Sequence, residues 1–150
     1  MLYIASDHAG FALKEYLKRF LKKHSIAVED IGAHRYDKAD DFPRYAFSLS
    51  KKVASDSSHR GILLCGSGQG MCIAANKVRG IRAASVWNKK SAIASRHDDD
   101  TNILCLSGRM LTRKETEEIL SSWLFTGFSG LARYKRRLNQ IAAYEKNSRA

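Results

Sequence analysis

The sequence predicts one α/β domain of three layers, a five-stranded and mainly parallel sheet between helices in the Rossmann-like manner, with a further helix at the carboxyl end. Three features predict it: five short apolar runs, helix-period patterns between them, and a glycine-rich turn directly after the third run. Size agrees, because 150 residues with 44% hydrophobic content suit one ordinary core. No internal repeat or low-complexity linker divides the chain.

The strands are expected over residues 2–5, 26–31, 62–65, 81–86 and 103–106. Leu13, Leu17, Phe20 and Leu21 recur at helical spacing over about 10–24, with Lys14, Lys18, Arg19, Lys22 and Lys23 interleaved as a solvated face. Pro43, with its fixed φ and missing N–H, fits the first turn of a helix over 43–56. Helical patterns follow over 71–78 and 89–97. Thr112 and Glu115 form a capping box opening the helix over 112–126, and the last helix covers 131–147.

A formal charge of +11 and a pI of about 9.8 favour anionic partners. No recognised nucleic-acid motif accompanies that charge, so nucleic acid is not the expected partner. No run approaches membrane-spanning length, and the first residues lead straight into a strand pattern without a basic leader. A cytoplasmic protein is the expectation. Cys65, Cys72 and Cys105 lack metal-ligand spacing, and an odd number argues against a disulfide framework.

The chemistry concentrates at Ile62-Leu63-Leu64-Cys65-Gly66-Ser67-Gly68-Gln69-Gly70. Cys65 stands at the carboxyl end of a buried strand, where open α/β sheets bind their ligands. Alternating glycines let main-chain N–H groups approach an anion, and the start of the next helix adds its dipole. The spacing is neither the G-x-G-x-x-G of dinucleotide sites, nor a P-loop, nor the G-x-S-x-G of hydrolases. A tight turn beside an ordinary buried cysteine is the competing reading. Asp7 and His8 follow the first strand and Arg109 the fifth, so one sheet edge could gather them with Cys65. Arg133 and Arg137, four apart, share a helical face able to grip a phosphate.

Together Ser6-Asp7-His8-Ala9-Gly10, residues 65–70, Ala75-Asn76-Lys77, Gly80-Ile81-Arg82-Ala83-Ala84 and Thr101-Asn102 resemble the type B ribose-5-phosphate isomerases, in order and over nearly the whole chain. That family also contains galactose-6-phosphate isomerase subunits. The resemblance implies interconversion of ribose 5-phosphate and ribulose 5-phosphate without metal or organic cofactor, in a homodimer or dimer of dimers whose sites borrow residues across the interface. It implies Cys65 as the base that moves a proton between C2 and C1. A thiol, of ordinary pKa about 8.5, can be acidified by amides and cations for such work. The amides of Gly66, Ser67, Gly68, Gln69 and Gly70 would hold the enediolate as an oxyanion hole does. By the same resemblance Ser67 assists opening of the furanose, Arg133 and Arg137 bind phosphate, His8 and Arg109 support phosphate or hydroxyl contacts, and Asp7 takes a sugar hydroxyl. Asn76 would order the loop or the interface.

Two departures stand out. Where the family reads Arg-x-His-Asn-Asp-x-Asn, this chain reads Arg96-His97-Asp98-Asp99-Asp100-Thr101-Asn102. Asp98 replaces the ring-opening histidine, and Asp99 replaces an anion-hole asparagine, where a carboxylate would repel the enediolate unless protonated or turned away. Three routes to ring opening remain: His97 from one position upstream, Asp98 itself, or Ser67 with solvent. Phe42 stands where a tyrosine is common, which removes a hydroxyl from the substrate side. A sugar-phosphate binder that has lost catalysis, an isomerase of allose or galactose 6-phosphate, and a basic nucleic-acid-binding domain are the alternatives. Replacing Arg137 by alanine is expected chiefly to raise KM for a sugar phosphate, because the phosphate lies remote from the reacting carbons. Steady-state kinetics checks it, and an unchanged KM contradicts the phosphate role.

Overall fold

The computed structural model describes residues 1–147. Five strands, β1 (Leu2–Ser6), β2 (Glu29–Gly32), β3 (Arg60–Cys65), β4 (Ala83–Ser85) and β5 (Ile103–Ser107), form one sheet in the order β2-β1-β3-β5-β4. All pairings are parallel. Six helices accompany them: α1 (Phe11–Lys23), α2 (Phe42–Ala54), α3 (Gln69–Ala75), α4 (Lys89–His97), α5 (Arg113–Phe125) and α6 (Ala132–Asn147). This is the expected three-layer α/β/α arrangement. Among the described residues, no helix is long and apolar enough to cross a membrane.

The central strands read as unbroken apolar runs because a parallel sheet covered by helices is buried on both faces. Side chains alternate across it. Ile62 and Leu64 enter a core with Leu13, Leu17, Leu21 and Trp123 of α1 and α5, whereas Leu63 and Cys65 enter one with Ala46, Leu49 and Met71 of α2 and α3. The register Gly61↔Ile103 through Cys65↔Ser107 sets the ends of β3 and β5 side by side.

Sequence and structure differ most at the sheet edges. β2 starts at Glu29 instead of 26, since the amide of Ile26 is spent closing α1 on the Leu21 carbonyl. β4 shrinks to three residues because the amide of Ile81 turns back to the Val78 carbonyl and that of Arg82 to the Asn102 side chain. α3 opens at Gln69, two residues earlier than the pattern suggests, because Gly68 caps it with φ of 79°, a conformation that favours glycine. The Thr112–Glu115 capping box is present, Pro43 lies in the first turn of α2, and an Asn88–Ser91 box opens α4.

Lys14 is the clear correction to the amphipathic reading of α1. Instead of facing solvent it is fully buried, and its ammonium donates to both carboxylate oxygens of Asp30 at 2.8 Å and to the Ala33 carbonyl. These bonds replace the lost water and tie α1 to the loop after β2. Burial tends to push the Asp30 carboxyl up, but the bonds from Lys14, Lys18 and the Gly32 amide outweigh it and hold the group below its usual range. The folded value lies below the unfolded one, so this contribution to stability is present at neutral pH and fades on acidification through the carboxylate range. Lys14→Ala is expected to lower unfolding free energy by about 2–4 kcal/mol, by emptying the space of the buried lysine stem and leaving the Ala33 carbonyl without its donor, while Lys18 and the Gly32 amide still hold Asp30. Denaturant melts check this, and a loss below about 1 kcal/mol contradicts it.

Candidate active site

The strand order reverses between β1 and β3: the chain leaves β1 for one edge of the sheet and continues from β3 toward the other. A crevice opens at such a switch point, outside the carboxyl ends of the strands. Here it measures about 260 Å³ and is lined by His8 from the β1–α1 turn, Phe42 from the start of α2, Cys65, Ser67 and Gly70 from the β3–α3 loop, and Arg109 after β5. A larger groove of about 550 Å³, between α1 and the residues leading into β2, holds none of the motif residues.

Cys65 ends β3 with 5% of its surface exposed, and its sulfur accepts the Gly68 N–H at 3.1 Å. Only a backbone bent back through the positive φ of Gly68 brings that amide onto the sulfur of its own strand. The loop is pinned from below by β5. Gly108 N–H donates to the Cys65 carbonyl at 2.8 Å, and the Ser107 hydroxyl donates to the Gly66 carbonyl at 2.7 Å. Arg109 packs over Gly66, where a Cβ would meet its guanidinium carbon at 3.1 Å, so any larger residue at 66 would push that cation aside by a few tenths of an ångström. Two of the loop amides are engaged internally, Gly68 on the sulfur and Gln69 on the Ser67 hydroxyl at 3.3 Å.

Asp7 is placed differently from the other motif residues of this edge. Its carboxylate accepts the Gly10 N–H at 2.9 Å and so fixes the turn into α1, and it does not line the crevice. Burial pushes its carboxyl up, opposed by that amide and by the neighbouring His8.

A second cluster forms at the other edge of the sheet. His97 closes α4, and its Nδ1 pairs with Asp98 Oδ1 at 2.7 Å while its ring meets the Tyr134 ring edge-on at 6.2 Å. The bond to His97, then one to Tyr134, holds the Asp98 carboxyl below its usual range, and Arg133 adds its charge. Burial and the negative charge of Asp98 push the Asp99 carboxyl up, while Arg137 draws it down. His97, Asp98, Asp99, Arg133 and Arg137 are therefore gathered into one cluster, which in one chain lies away from Cys65. The register sets residues 61 and 65 beside 103 and 107, so β3 alone separates the two groups by roughly 13 Å.

Sequence reasoning missed two members. Tyr134 lies between the two arginines and went unweighed beside them. Asp40, which binds His8, lies outside every quoted motif. Among the described residues, no group of three or more His, Cys, Asp or Glu side chains is arranged to hold a metal ion.

A thiol and a cationic side chain facing a small crevice at the switch point of a parallel sheet define an α/β enzyme of small anionic substrates. The chain belongs to the Ribose/Galactose Isomerase family, whose model matches residues 2–141. It is 42% identical to a probable ribose-5-phosphate isomerase B of Mycoplasma genitalium, over 98% of this chain and 97% of that one. Against ribose-5-phosphate isomerase B of Mycobacterium tuberculosis the identity is 36%, over 99% of this chain and 92% of the other. The fold superposes with a TM-score of 0.94 on the crystal structure of the M. genitalium isomerase with bound ribulose-5-phosphate, at 42% identity over 98% and 97% of the two chains. The type B isomerase of Trypanosoma brucei gives a TM-score of 0.88 at 38% identity, over 95% and 96%.

Proposed function

We propose that this chain interconverts ribose 5-phosphate and ribulose 5-phosphate in the cytoplasm, as a single catalytic domain that works in a homodimer. The observation that carries the reading is Cys65 at the crevice with its sulfur oriented by the Gly68 amide. Acting as base, the sulfur takes the proton from C2 of the opened aldose. The electron pair forms the C1–C2 double bond of an enediolate as the carbonyl pair moves onto O1; the same proton or its equivalent then returns at C1, while the O2 hydroxyl proton passes to O1 and C2 becomes the ketose carbonyl. Charge on the sugar oxygen is met by the loop amides left free by the internal bonds and by the Arg109 guanidinium.

The crevice of one chain lacks the second cluster, and a two-fold partner supplies it. α6 has no buried residue in the single chain, and Leu131 and Ile141 on and beside it are exposed, as an uncovered interface would be. In the dimer the partner's Arg133 and Arg137 hold the phosphate. The partner's His97, with Nδ1 engaged by Asp98, offers Nε2 to ring opening, and Ser67 assists from the near side. The upward push on Asp99 is the direction that eases repulsion of the enediolate.

A coupled assay across ribose, allose and galactose phosphates tests the reading. Turnover is expected to be greatest with ribose 5-phosphate. Cys65→Ala is expected to lower kcat at least about a thousandfold while ligand binding by calorimetry persists. Near-normal turnover by that variant contradicts Cys65 as base, and binding without turnover by the unmodified protein makes it a sugar-phosphate binder.

A further inference from the structure

The loop between β2 and α2 carries a buried carboxylate that none of the motifs includes. Asp40 has a fully buried side chain, and one of its oxygens, Oδ1, accepts twice from the same residue: the His8 main-chain N–H at 3.0 Å and the ring Nδ1 at 2.7 Å. Burial alone would push this carboxyl up, yet the two bonds from His8 and a contribution from the Tyr45 hydroxyl hold it below the usual range. An ionised carboxylate only accepts hydrogen bonds, so the proton between the two groups belongs to Nδ1. Tyr36, from the same loop, meets the His8 ring edge-on at 6.3 Å. His8 lines the crevice, and with Nδ1 committed to Asp40 the nitrogen left for a ligand is Nε2.

We propose that Asp40 is a positioning residue: it locks His8 in the Nδ1–H tautomer and thereby makes Nε2 the nitrogen that meets the substrate. When the imidazole is neutral, that Nε2 is an acceptor and suits a sugar hydroxyl. When the ring is protonated, Nε2 donates and suits a phosphate oxygen. Either contact depends on the ring orientation that the bond to Asp40 sets. The kinetic part of the proposal rests on the isomerase reading, whereas the tautomer does not.

Nitrogen-15 NMR of the imidazoles at alkaline pH, where the ring is neutral, reads the tautomer in the ligand-free protein. His8 is expected as Nδ1–H in the unmodified protein and in Asp40→Asn, whose amide oxygen can accept the same two bonds. In Asp40→Ala a mixture richer in Nε2–H is expected, with KM for ribose 5-phosphate raised about tenfold and kcat much less affected. Asp40→Asn is expected to restore KM to near its original value. A predominant Nε2–H tautomer in the unmodified protein overturns the proposal, as does an unchanged tautomer in folded Asp40→Ala. If the alanine variant fails to fold, the spectra of the unmodified protein and of Asp40→Asn still decide. Absence of turnover by the unmodified protein would reject the isomerase reading while leaving the tautomer result to stand or fall on its own.

Discussion

Because every strand of the sheet runs the same way, each connecting helix must carry the chain from the carboxyl edge back to the amino edge before the next strand can begin. Cys65 leaves β3 at the carboxyl edge and residues 97–99 leave α4 at the opposite one, so the thiol and the His97–Arg137 cluster are kept apart by the topology itself. A loop shift cannot bring them together within one chain. A two-fold axis perpendicular to the strands can, because it reverses one sheet against the other, and this is the arrangement of the homodimer proposed above. In that proposed homodimer the exposed α6 and the separation of the two clusters have one explanation.

Within the crevice, geometry is enforced chiefly by hydrogen bonds that cost little to keep because they are made between buried, fixed groups. Gly108 and Ser107 of the neighbouring strand end hold the glycine loop, Gly68 directs the sulfur, and Asp40 directs His8. Lys14, held under the loop after β2 by Asp30 and the Ala33 carbonyl, steadies the segment from which Tyr36 and Asp40 project. Preorganisation of this kind is what a proton-transfer enzyme without covalent help from its substrate requires, since fixed dipoles need not reorient as charge develops. The surplus of positive charge has a partial account in Arg109, which lines the crevice, and in Arg133 and Arg137, to which the proposed function gives the phosphate.

Much of the fold was legible because parallel strands buried on both faces leave continuous apolar runs, and β1, β3 and β5 sit almost where those runs lie. The edge strands β2 and β4 were overextended, for their limits are set by amides turning back to helix ends, which hydrophobicity does not encode. Lys14 looked like any surface lysine, since its partner Asp30 lies sixteen residues away and only the folded sheet brings them together. Asp40 was invisible for the same reason, being thirty-two residues from His8. His97, Asp98, Arg133 and Arg137 were readable one motif at a time. Their separation from Cys65 was not, because distance across a sheet follows from strand order and not from residue type.

Subunit complementation tests the composite site most directly. A chain carrying Cys65→Ala is co-expressed with one carrying both Arg133→Ala and Arg137→Ala, and isomerase activity is measured at substrate well below KM. If each site takes its thiol from one protomer and its arginines from the other, mixed dimers hold one intact site. Random pairing then returns about a quarter of the unmodified activity, although each variant alone is nearly inactive. No recovery in purified mixed dimers would mean that thiol and arginines act within one chain, and would contradict the divided site.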